Sequence, residues 1–263
     1  MSIEWKAGDL PPWGFDLDRA LPVHPQFVLS GNIRDLHPVT LPDGRRPKPT
    51  LDLLWDVLSN RGCEFLLVYD PADSLRVHAR RQLTTGSSVD GIDLDSSEPI
   101  VVTRPRVPQL MRALTASQAV RGALVIDYAS RLAKQPAHLD NEEHEFFLRC
   151  EKISHLARPL WPRGGGASPY NPIIWLVNRP NDLPGWFTLG NESVRHLVAG
   201  LPDRGTRRSI IASTEGHYPD SSGLSESRRQ ELVDQFTLLT EGMSVRNLLA
   251  ITEIARDPRF GLE

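Results

Sequence analysis

The chain has 263 residues, 40% hydrophobic and 24% charged, which suits one large globular domain or a core domain with a smaller appendage. No apolar run reaches the ~18–20 residues of a membrane span, and Met1-Ser2-Ile3-Glu4-Trp5 lacks the charged-then-apolar start of a secretory signal. A net charge of −3 excludes strong whole-surface attraction to nucleic acid, and two cysteines, Cys63 and Cys150, are too few for a disulfide framework or a structural zinc site. They read as buried thiols in a cytoplasmic protein.

Residues 1–49 are rich in proline and aromatics and read as an N-terminal arm, with one short apolar strand at Phe27-Val28-Leu29. From Thr50 the spacing of Leu51, Leu54, Trp55 and Leu58 predicts a helix. Glu64 to Tyr69 is a continuous apolar run and reads as a strand buried on both faces. A short helix over 74–83 and a Gly/Ser/Asp-rich loop over 84–97 follow. Ile100–Thr103 reads as a strand, Val107–Ala119 as a helix, Ala123–Asp127 as a strand and 141–157 as a long amphipathic helix. A loop holding Gly164-Gly165-Gly166 leads to a strand at Ile173–Val177, with a fifth at His196–Ala199. Beyond Thr206 only helices are predicted, over 206–214, 225–241 and 244–256. Short buried strands alternating with helices imply an α/β fold with a parallel sheet covered on both faces, here residues 50–205, followed by a helical lid at 206–263.

Parallel sheets bind ligands beyond the carboxyl ends of their strands. A nucleotide-binding chain would carry Gly-x4-Gly-Lys-Ser/Thr after its first core strand. Taking Glu64–Tyr69 as that strand, the next residues are Asp70-Pro71-Ala72-Asp73-Ser74-Leu75-Arg76, with no glycine and no lysine. Asp70 and Asp73 repel phosphate, and Pro71 removes an amide donor, so this loop is expected not to hold a phosphate. Gly164–Gly166 precedes a strand and lacks a following Lys-Ser/Thr. Asp127 ends one apolar run and Asn178 another, which predicts that both stand at the same sheet edge. The cluster His138, Asp140, Glu142, Glu143, His144, Glu145 lacks a His-Glu-x-x-His register and reads as a solvated helix start. Arg204, Arg207 and Arg208 suit a subunit interface as well as nucleic acid.

The chain resembles the AAA+ ATPases over about residues 50–257. Ala123–Asp127 resembles a Walker B strand, although Tyr128 stands where the water-polarising glutamate is usual. Asn178 matches the sensor 1 position, Val194–Arg208 looks like the arginine-finger segment and last core strand, and Thr240–Leu248 is similar to the lid motif. The resemblance implies nucleotide-site remnants at Asp127, Asn178 and Arg246 (near the sensor 2 position), and an exposed Arg195 able to act in trans. With the phosphate loop and catalytic glutamate missing, it implies a degenerate module, without hydrolysis on its own, for assembly, regulation or partner binding, with no cofactor. The alternatives are an active ATPase using ATP and Mg at an atypical site, or a nucleic-acid-binding adaptor. The implied partners are copies of the chain in a homo-oligomeric ring, an active AAA+ domain in a longer polypeptide of which this is a piece, and other proteins. Membranes are excluded and nucleic acid is disfavoured as a partner.

Overall fold

A computed structural model describes residues 4–42, 44–81, 87–160, 170–214 and 223–255. The chain forms two compact units, residues 1–33 with 51–199, and residues 34–50 with 200–263. Among the described residues no helix is long and apolar enough to cross a membrane. Gly164–Gly166 and the segment after residue 255 lie outside the described residues.

The first unit is built on a six-stranded sheet. In chain order its strands are β1 (Gln26–Gly31), β4 (Phe65–Asp70), β5 (Ser74–Arg80), β8 (Gly122–Ile126), β9 (Ile173–Val177) and β10 (Val194–Ala199). Their spatial order is β10-β1-β9-β8-β4-β5, parallel except for β5, which pairs antiparallel with β4. β4, β8 and β9 are buried at every position, as their unbroken apolar runs require. The helices are α1 (Pro12–Ala20), α2 (Thr50–Asn60), α3 (Val107–Ala116), α4 (Asn141–Leu156) and the short α5 (Gly185–Thr188). α4 starts with a reciprocal cap, in which Asp140 accepts from the Glu143 amide while Glu143 accepts from the Asp140 amide. That cap accounts for the acid-rich stretch at 138–145, and no group of three potential metal ligands occurs among the described residues.

Two buried polar groups fix the packing. Trp175 lies among Phe146, Phe147 and Phe187, and its Nε1 donates to Gln26 Oε1 (3.1 Å). Gln26 in turn donates to the Cys150 carbonyl (3.1 Å), so β9, β1 and α4 are joined through one satisfied chain. Asn171, just before β9, accepts from the Gly122 amide (2.9 Å) and donates to the carbonyls of Leu114 (2.9 Å) and Val120 (3.1 Å). It thereby satisfies the carboxyl end of α3 and the entry to β8 together.

Several expectations are corrected. Residues 1–49 are not an arm, because β1 is an interior strand and α1 lies against β10. Its sequence is short and flanked by prolines, and only its two strand neighbours reveal its central place. Residues 74–80 form a strand rather than a helix, and Leu75, Val77 and Ala79 alternate as a strand paired on one side should. Ile100 makes a single bridge to Leu75, and residues 101–103 are held through Ser74 Oγ, which accepts from the Val102 amide (2.6 Å). Pro99 and Pro105 bracket that piece and limit ladder pairing. Within 84–97 a small hairpin forms, β6 (Ser88–Val89) with β7 (Ile92–Asp93).

The second unit contains the hairpin β2 (Leu36–Leu41) with β3 (Gly44–Pro49), and helices α6 (Arg204–Thr214), α7 (Glu226–Leu239) and α8 (Val245–Ala255). The three helices fall where the periodicity put them, but the unit also takes in residues 34–50, so its extent differs from 206–263. Ile211, Val233 and Leu248 form its buried helical core. Arg208 ties α6 to α7 through Asp234 (2.7 Å) and Gln230 (2.7 Å). Asp35 accepts from the first amides of α8, Val245 (2.8 Å) and Arg246 (2.8 Å), and so caps that helix across a long stretch of sequence.

Candidate functional site

In the sheet order, the connection from β1 leads towards β4 and the one from β9 leads back across β1 to β10. Strand order therefore reverses at the carboxyl ends of β1 and β9, the place where open α/β sheets form a ligand crevice. Asp127 follows β8 and Asn178 follows its parallel neighbour β9, so the two stand at this edge. Asp127 is buried and accepts from the Tyr128 amide (2.8 Å), while its own amide donates to the Tyr69 carbonyl (2.8 Å). Tyr128 adopts φ +48°, a left-handed conformation that turns the chain sharply after the strand. Asn178 is exposed, and its amide donates to Ser130 Oγ (2.8 Å).

The loop that matters most was not the one the sequence singled out. β4 is the second parallel strand of the chain, and the first is β1, which ends at Ser30-Gly31-Asn32. A phosphate site needs a run of backbone amides, usually leading into a helix, turned toward the anion. Here the amide of Gly31 donates to the Asn178 carbonyl (3.2 Å), that of Asn32 to Ala199 (2.7 Å) and that of Ile33 to Gly31 (2.8 Å). The chain then continues into β2 and β3 rather than a helix. Gly31 has φ +98°, and a Cβ there would lie 2.6 Å from the Ala199 carbonyl oxygen, so the turn closes against β10. The earlier suspect, Asp70–Arg76, is a hairpin turn in which Asp70 accepts from Ala72 (2.7 Å) and Asp73 (3.3 Å).

A family model for the N-terminal Rossmann-like domain of AAA+ chaperones matches residues 6–199. The chain belongs to that family. A search of curated proteins found no match. The matched span begins well before residue 50 and contains β1, which agrees with the sheet and extends the resemblance seen in sequence.

In this AAA+ chaperone domain Arg195 is exposed and is the second residue of edge strand β10. It is level with Phe27 and Ile174, four residues upstream of Asn178, and so lies toward the amino end of the sheet. Arg246 belongs to the other unit, exposed in the first turn of α8, with its Nη2 3.4 Å from the Arg34 carbonyl. Of the arginines at 204–208, Arg207 is buried and donates to the Pro202 carbonyl (2.9 Å), Arg208 pairs with α7, and Arg204 is exposed. The structure thus brings Asp127 and Asn178 to one edge, and draws two of the three arginines into internal contacts. Burial raises the Cys63 thiol to about 12 and pushes Cys150 up as well, so neither is a nucleophile.

Reading the sequence alone missed the Gly31–Ile33 turn and the Asp35 cap. The signal for the first was Ser30-Gly31-Asn32 after an apolar run. Nothing local marks Asp35.

Proposed function

We propose that this AAA+ chaperone N-terminal domain is catalytically degenerate and serves assembly, regulation or partner binding. The observation that carries the reading is the use of the Gly31, Asn32 and Ile33 amides by protein carbonyls at the strand-order reversal. A bound phosphate would have to break those bonds, and Ser30–His37 offers no lysine, its one arginine, Arg34, being followed directly by Asp35. In this reading the domain acts in a cytoplasmic homo-oligomeric ring, in a longer polypeptide that also carries an active AAA+ domain. In the same reading Arg195, which is exposed on the edge strand, meets a neighbouring subunit.

The test is calorimetric titration of the chain with Mg-ATP, alongside a phosphate-release assay of wild type and Asp127→Asn. The expected result is no saturable binding and background release from both proteins. Micromolar binding with turnover that Asp127→Asn abolishes overturns the proposal and establishes an atypical ATPase. For the ring, Arg195→Ala in the longer protein is expected to weaken assembly or slow hydrolysis by roughly tenfold or more while this domain stays folded. Wild-type assembly and turnover would remove Arg195 from the interface.

A further inference from the structure

The two edges of the six-stranded sheet differ. At β5 the edge is covered, because Leu75 and Ile100 exchange backbone bonds (3.2 and 2.7 Å) and Ser74 Oγ accepts from the Val102 amide (2.6 Å). No strand lies beyond β10 among the described residues. Its sequence, Val194-Arg195-His196-Leu197-Val198-Ala199, holds no proline, lysine or bulge, the usual guards of an exposed strand.

The direction of its backbone groups follows from the bonds to β1. The carbonyls of Ser193 and Ala199 accept from the Gln26 and Asn32 amides (3.3 and 2.7 Å), so odd-numbered residues face β1. The backbone groups of Val194, His196 and Val198 then point away from the sheet. The Val194 amide is already used, donating to the Asn191 carbonyl (3.0 Å). The N–H groups of His196 and Val198, and the carbonyls of all three residues, meet no partner among the described residues. Arg195 is exposed on one side of the strand and Val198, 64% exposed, on the other, so the edge is open from both faces.

Such a row of donors and acceptors is completed by an extended strand, and β10 itself supplies the matching row. An antiparallel pair about a two-fold axis can centre on residue 195, 196 or 197. Centred on Arg195, it sets that charge against itself. Centred on His196, it opposes two imidazoles and turns the Val198 carbonyl to the Val194 amide, which Asn191 already uses. Centred on Leu197, the His196 N–H donates to the Val198 carbonyl of the second copy and the Val198 N–H to its His196 carbonyl. In that register Arg195 meets Ala199, and the exposed Val198 is covered by His196. We propose that β10 is the contact of a symmetric dimer, in which a second copy of this chain adds its own β10 antiparallel with Leu197 on the axis. Such a contact closes at two copies and is distinct from the proposed ring.

Sedimentation equilibrium of the whole chain from about 1 to 200 µM is expected to show reversible dimerisation, with a dissociation constant of roughly 1–100 µM for so small a contact. Val198→Pro removes an outward N–H without touching the ladder to β1, and should raise that constant roughly tenfold or more. Val198→Lys should do the same by placing a charge on the edge, and is expected to fold even if the proline variant does not. Val101→Lys, at a residue 83% exposed beside the β5 edge, should leave the constant unchanged. So should Arg195→Ala, because the pair asks nothing of that charge, which separates the dimer from the ring contact. The double variant His196→Cys with Val198→Cys is expected to form a disulfide-linked dimer on mild oxidation, and neither single variant to do so. A chain that stays monomeric throughout this range overturns the proposal and leaves the edge to a strand of another protein. A dimer that survives Val198→Lys, one that dissociates in Arg195→Ala, or cross-linking by His196→Cys alone overturns it as well.

Discussion

Replacing Asn171 by alanine should be among the most damaging single changes in the sheet-bearing unit. The side chain is 1% exposed and closes four bonds at once, accepting from the Gly122 amide and donating to the Leu114, Ser117 and Val120 carbonyls. Alanine leaves the buried Gly122 N–H without a partner, and leaves the buried Leu114 carbonyl only the long bond from the Ser117 amide (3.2 Å). The unpaired N–H costs about 1–3 kcal/mol and the weakened Leu114 carbonyl about 1 kcal/mol, while Val120 is half-buried and its carbonyl can recover a water. The sum is about 2–4 kcal/mol, with about 3 kcal/mol the central expectation. Asn171→Asp keeps an acceptor for Gly122 but turns a second oxygen toward three carbonyls, and should cost at least as much. The assay is urea unfolding followed by the fluorescence of the buried Trp175, with the slope m compared between variants to show that the same surface unfolds. A loss below about 1 kcal/mol for Asn171→Ala, at unchanged m, would refute the claim that this side chain holds α3, β8 and β9 together.

Burial holds the His37 imidazole down at about 4, with Asp35 acting against the shift, and His37 bonds Thr50 Oγ1 at 3.0 Å. Its folded value lies below the ~6.5 of an unfolded chain, so its contribution is fully present above ~6.5 and is lost as pH falls toward 4, by about 3 kcal/mol in all; His37→Gln should flatten the acid limb of a stability–pH curve, and an unchanged limb would refute the assignment. Gly31→Ala forces a Cβ to within 2.6 Å of the Ala199 oxygen at φ +98°, and should lower stability by about 2 kcal/mol or more in urea, whereas a neutral result would show that the β1 turn is not closed against β10. Cys63 is buried with its thiol raised to about 12, so labelling by a thiol reagent near pH 8 should appear only on unfolding; stoichiometric labelling of the native chain at the rate of a free thiol would contradict that.

What could be read from sequence was whatever a local pattern writes down. The apolar runs of β4, β8 and β9 declare strands buried on both faces, and helices α2, α3, α4, α6, α7 and α8 declare themselves by their period. Asp127 and Asn178 could be assigned to one sheet edge because each ends such a run, and parallel strands share their polarity. Tertiary structure decided everything that depends on which strands are neighbours. β1 is a short segment between proline-rich stretches, and only its pairing with β9 and β10 makes it central and moves the place of a phosphate loop from Asp70–Arg76 to Gly31–Ile33. The fate of those amides depends on carbonyls of Asn178 and Ala199, and the cap of α8 on Asp35; such partners are distant in sequence and leave no periodic trace. Strand periodicity records which face of an element is buried, whereas a hydrogen bond between remote loops is set by the packed sheet itself.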